Sequence, residues 1–119
     1  MVVPARGEIY WLDFSPALGR EMQRIHPALI IQNDVANKVS SLTIVAAITS
    51  NLRVADLPVG VLIEPQDSGL PRSSVVHLGQ LYTVDKKRLG QLVGKLPAQK
   101  MEEINKAILV SLGLREFRI

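Results

Sequence analysis

Residues 42–50, Leu-Thr-Ile-Val-Ala-Ala-Ile-Thr-Ser, are almost continuously apolar. A strand with one wet face alternates apolar and polar side chains, so this run reads as a central strand covered on both faces. Such a strand needs neighbours along both edges and cover above and below. A chain of 119 residues can supply them as one domain, 1–119, with a real core.

The neighbours are legible on either side. Residues 7–14, Gly-Glu-Ile-Tyr-Trp-Leu-Asp-Phe, are aromatic and β-branched and read as a strand, broken by Ser15-Pro16 and Gly19. A second strand is expected over 28–32, and Asn33-Asp34 offers a cap for a helical turn at 35–39. After 42–50 comes a polar link, 51–57, then a strand at 59–63 and a loop at 66–73 holding Gly69 and Pro71. Short strands are expected at 74–78, 81–84 and 89–93, with the basic run Lys86-Lys87-Arg88 as a solvated turn between the last two.

The chain ends differently. Pro97 stands where a helix can begin, since its missing N–H would have had no partner there. Met101, Ile104, Ile108 and Leu112 then recur on one helical face, and Gly113 suits a left-handed residue past the helix end. Five to seven short strands with one terminal helix make an α+β domain, either a strongly curved sheet or a small barrel.

Composition excludes more than it identifies. There is no cysteine, which removes disulfides and thiolate metal sites and fits a reducing compartment. No apolar run approaches the roughly 20 residues that span a membrane, and no apolar signal core opens the chain, so the cytoplasm is the expected location. Net charge is +3, leaning weakly towards polyanions. Residues 1–36 hold three Lys/Arg against four Asp/Glu, and 37–119 hold eleven against seven.

No phosphate-binding glycine loop, zinc-protease helix motif or nucleophile elbow occurs. His26 and His77 lie far apart without carboxylates at ligand spacing, so no metal or other cofactor is expected. The five aromatic residues do not interleave with the basic ones as a stacking platform would. What stands out is 19–33, a charged loop carrying Arg20, Glu21 and Arg24 that feeds His26, Pro27 and an apolar strand. A rigid strand fixes what such a loop presents, which makes this the candidate site.

Several segments, in order, resemble the MazF/PemK family of toxin endoribonucleases, the toxin half of type II toxin–antitoxin pairs. They are Gly7-Glu-Ile-Tyr-Trp-Leu-Asp-Phe-Ser-Pro, Gly19-x-Glu21, His26-Pro-Ala-Leu-Ile-Ile-Gln-Asn-Asp, Ile44-Val-Ala-Ala-Ile-Thr-Ser, Gly69-Leu, Ser74-Val-Val, Gln80-Leu-Tyr-Thr-Val-Asp-Lys-Lys-Arg-Leu and Ser111-Leu-Gly-Leu. The resemblance implies an SH3-like β-barrel of short, mostly antiparallel strands with a C-terminal helix, shared with CcdB-type toxins. It also implies a homodimer that cuts single-stranded RNA, such as mRNA, at short sequences without a metal. Attack by the ribose 2′-hydroxyl would leave a 2′,3′-cyclic phosphate and a 5′-hydroxyl.

In the family an arginine before the proline of the second strand and a threonine ending the third supply much of the chemistry. Thr49 matches the threonine, whereas His26 replaces the arginine. Tyr82 stands where relatives often carry Arg or Lys, and Gly79 where an acidic residue often precedes the glutamine, here Gln80. The working set so implied is His26, Thr49 and Arg24 for catalysis, with Arg20, Glu21, Arg53, Gln80 and His77 as RNA contacts. His26 can take over acid–base work, or it can merely pack at the strand entrance, as His77 would in a satisfied, half-buried role. The partner implied is an acidic, partly disordered, MazE-like antitoxin, with DNA reached only through that complex and no membrane contact. The alternative is a member that acts by binding alone, either as a CcdB-like gyrase poison or on its antitoxin and operator.

Overall fold

The computed structural model describes residues 2–14 and 25–116. Six strands form one antiparallel sheet: β1 (Glu8–Asp13), β2 (Ile25–Ile30), β3 (Leu42–Thr49), β4 (Gly60–Ile63), β5 (Ser74–Asp85) and β6 (Leu89–Lys95), in the order β4-β5-β3-β2-β1-β6. The apolar run at 42–50 is therefore interior, as read, with β2 on one edge and β5 on the other. Both its faces are covered. Ala46 and Ile48 join a core with Leu29, Val76 and Leu78, while Val45 joins a second with Tyr10, Leu12, Ala28 and Ile30.

Among the described residues three α-helices accompany the sheet: α1 (Asp34–Val39), α2 (Pro65–Ser68) and α3 (Ala98–Ser111). The Asn33 side chain caps α1 by accepting the Ala36 N–H at 2.8 Å. In α3, Ile104 and Ala107 are buried, with Met101 and Ile108 packed at their sides, so the expected face meets the first core. The stripe stops a turn early. Leu112 is 58% exposed because it is the last, half-helical residue, after which Gly113 reverses the chain at φ 77°.

Three sequence expectations need correction. The stretch read as a loop at 66–73 opens with α2, because Pro65 is pre-set for a first turn and Asp67 accepts the Glu64 N–H at 3.2 Å. The strands read at 74–78 and 81–84 are one strand, β5. Its ladder with β3 passes from Ala46↔Leu81 to Ala47↔His77, so 78–80 loop out as a bulge instead of ending the strand. The basic run is not a solvated turn throughout. Lys86 is 4% exposed, with its Nζ donating to the Asn37 carbonyl.

The sheet edges β4 and β6 do not pair with each other. The short α2 that follows β4 packs on β6, so the curved sheet closes through a helix.

Candidate functional site

The β2–β3 ladder pairs Ala28 with Ala47 and goes no further. Pro27 has no N–H to donate, and the pairing ends at the residue after it. Carrying the register two residues on sets His26 against Thr49. Both side chains then fall on the side of the sheet shared by Ala28 and Ala47, since residues two apart on a strand face the same way. An open groove of about 1370 Å³ starts where the strands part, and His26 and Thr49 both line it.

His26 belongs to β2, and its backbone pairs with Leu12 of β1. Its imidazole is exposed and lies with its centroid 6.0 Å from that of Phe14. Thr49 is half-buried, and its Oγ1 accepts the Asn51 N–H at 3.1 Å. A hydroxyl has one proton and two acceptor positions, so this bond orients the side chain and leaves its proton to be donated.

Across the groove, Tyr82 is 42% exposed and lies edge-on to Phe14, centroids 5.3 Å apart at 71°. Gln80 also lines the groove, delivered by the bulge in β5. Four charged groups join them: Arg72, Arg88, Asp13 and Asp85. Arg88 is anchored, with Nη1 donating to the Asp13 carbonyl at 3.2 Å. Among the described lining residues the formal charges are thus two of each sign.

His77 and Arg53 are not among the residues lining the groove. His77 sits at the root of the bulge, where its Nδ1 accepts the Gly79 N–H at 3.0 Å. A Cβ at position 79 would lie 2.8 Å from the His77 ring, so histidine at 77 and glycine at 79 fit as a pair. Arg53 is exposed on a 3₁₀ turn, Leu52–Asp56, whose first residue does reach the groove. Arg20, Glu21 and Arg24 lie outside the described residues. No three His, Asp or Glu side chains gather as metal ligands among the described residues.

Sequence reading missed Arg72, Arg88 and the aromatic row. Arg88 lay inside a run that looked like a solvated turn, and Arg72 follows the Gly69-Leu70-Pro71 turn with no periodicity to mark it. Phe14 and Tyr82 stand far apart in the chain, and only the sheet order brings them together.

Comparison with known proteins agrees with this architecture. A sequence model of the family described as PemK-like, MazF-like toxin of type II toxin-antitoxin system matches residues 5–112. The chain is 45% identical over 113 residues to Endoribonuclease MazF of Staphylococcus saprophyticus, covering 95% of this chain and 94% of that one. It is 39% identical over 116 residues to Endoribonuclease EndoA of Bacillus subtilis, covering 98% of this chain and 100% of that one. Among solved structures, a mycobacterial endoribonuclease in complex with its cognate antitoxin superposes with a TM-score of 0.79 at 27% identity, covering 94% of this chain and 97% of that one.

Proposed function

The chain belongs to the PemK-like, MazF-like toxin family of type II toxin–antitoxin systems, and from that premise we infer that its groove is where RNA is cut. The protein is a toxin endoribonuclease, and an antitoxin is its partner. The observation that carries the assignment of the site is the shared face of His26 and Thr49 at the point where β2 and β3 separate.

In the proposed reaction the ribose 2′-oxygen attacks the adjacent phosphorus. The 2′-O–P bond forms, the P–O5′ bond breaks, the 2′-hydroxyl loses its proton to a base, and the 5′-oxygen gains one. The products are a 2′,3′-cyclic phosphate and a 5′-hydroxyl. Imidazole changes protonation in the neutral range and guanidinium does not, so histidine suits a proton-transfer role that arginine fills poorly. His26 takes that role. Thr49 donates its hydroxyl proton to a non-bridging phosphate oxygen, where charge builds in the transition state.

Arg24 and Arg20, from the stretch that precedes β2 in the sequence, bring positive charge to the phosphate, and Glu21 of the same stretch supports them. Gln80 contacts a base. Arg53 meets RNA that extends past Leu52, and His77 supports the bulge. The proposal further takes the protein to be a cytoplasmic homodimer that acts on single-stranded RNA without a metal. An acidic antitoxin segment would cover the groove and fold as it binds.

The test is cleavage of a long single-stranded RNA in EDTA by wild type, His26→Ala, His26→Arg and Thr49→Ala. Discrete cuts with cyclic-phosphate ends are expected, with activity falling at least about 100-fold in His26→Ala, as loss of a general acid–base group does. Cutting by His26→Arg alone would make the wild type a lapsed enzyme retained for binding. If no variant cuts, the binding-only alternative takes over.

A further inference from the structure

We propose that Tyr82, braced by Phe14, is a base-stacking platform that holds the nucleotide beside the scissile one. This rests on the groove being an RNA site and adds a residue that determines how the strand is seated there. The rings form a row, with Phe14 in contact with both His26 and Tyr82. Phe14 is half-buried, with its ring packed on the second core. It is therefore a fixed wall, not a free side chain. The edge-on contact orients Tyr82, and the residue remains 42% exposed where it lines the groove.

Exposed tyrosine at a core-braced position costs little conformational entropy to immobilise, because Phe14 already restricts it. Every base has a π-face, so a lone aromatic surface captures one without a matching set of hydrogen bonds. The charges make that contribution more important. Two arginines and two aspartates line the described groove, and those four side chains by themselves give an RNA backbone little net attraction. On this wall of the groove, stacking is therefore the main attraction that the described side chains offer the strand. Phe14 spans the gap between Tyr82 and His26, so the stacked base belongs to a neighbour of the nucleotide whose phosphate faces His26 and Thr49.

The probe is an all-2′-deoxy oligonucleotide copying the RNA segment that the wild type cuts fastest, with 2-aminopurine placed at each position in turn. It lacks the attacking hydroxyl, so binding is read without cleavage. Wild type should quench 2-aminopurine at one position next to the cut site. Tyr82→Leu should abolish that quench and bind about 10-fold more weakly, and on RNA it should raise KM more than it lowers kcat. Tyr82→Phe should restore the quench, since the ring is kept and only the hydroxyl is lost. His26→Ala should retain the quench while losing cleavage.

A quench of equal size at the same position in Tyr82→Leu would overturn the platform while leaving the ribonuclease reading intact. A Tyr82→Leu chain that melts well below wild type is replaced by Tyr82→His, which keeps a flat ring, and loss of the quench there too would count against stacking. A wild type that neither cuts RNA nor binds the probe would remove the functional reading itself, a result distinct from either.

Discussion

Position 79 shows how one side chain decides another. The β5 bulge folds the His77 ring over residue 79, and a Cβ there would approach the ring to 2.8 Å. Gly79→Ala is expected to destabilise by about 1–2 kcal/mol through overpacking. In a His77→Ala background the same change should cost close to nothing, because the obstructing ring is gone and alanine restricts the unfolded chain more than glycine. A double-mutant cycle from urea melts checks this, and additive effects would separate the two positions. Tyr10 offers a second residue-scale test. Burial, and then the hydrogen bond and negative charge of Glu8, push its phenol up to about 12, with the hydroxyl donating to Oε1 at 2.9 Å. The folded protein then holds a proton that the unfolded chain releases near pH 10. Its stabilising contribution is complete below about pH 10 and is lost as the pH rises towards 12. Tyr10→Phe should flatten the alkaline arm of a stability–pH profile, and an unchanged arm would refute the assignment.

At the scale of elements, α1 is fastened to the sheet by a buried polar set. The Asn37 side chain accepts from Thr43 Oγ1 at 2.8 Å and from Gln32 Nε2 at 2.9 Å, and donates to the Gln32 carbonyl at 3.0 Å. Lys86 completes the set from the turn after β5, donating from Nζ to the Asn37 carbonyl and from its own N–H to Ser41 O at 3.0 Å. Asn37, Thr43 and Lys86 are buried and Gln32 is half-buried, so removing one of the buried partners leaves its neighbour unsatisfied. Lys86→Met keeps most of the aliphatic stem but no donor. It should cost about 1–3 kcal/mol, read as a lower midpoint in denaturant with an unchanged slope. A Met variant as stable as wild type would show that the buried ammonium adds no net stability. The same element scale explains why the basic run misled: three successive cations look alike in sequence, yet a 3₁₀ turn (Lys86–Arg88) sends Lys86 inward and Arg88 to the groove.

For the whole molecule the open question is where the attraction for RNA resides. The described groove balances two arginines with two aspartates, and the proposal assigns the phosphate contacts to Arg20 and Arg24, which lie outside the described residues. Each ion pair to a single strand contributes roughly 0.7 to the slope of log affinity against log salt. Arg20→Ala and Arg24→Ala should each flatten that slope by about this amount in filter binding of a deoxy oligonucleotide, whereas Arg53→Ala should flatten it less. Equal slopes for all three would move the electrostatic contacts away from Arg20 and Arg24. Much of the fold was legible beforehand: the unbroken apolar run announced an interior strand, and the stripe through Ile104 and Ile108 announced the helix that covers one face. Those features arise from local periodicity and burial, which a sequence records directly. His26 was legible from the charged stretch that precedes it, whereas Thr49 was legible only through the resemblance of its surrounding segment. Their placement on one face depends on the β2–β3 register, and the aromatic row depends on the order of strands in the sheet. Sequence by itself determined which segments must be buried, because hydrophobicity and period are properties of the chain. The tertiary structure alone decided which distant side chains share a groove, because register, bulge and strand order come from pairings between segments that no local pattern encodes.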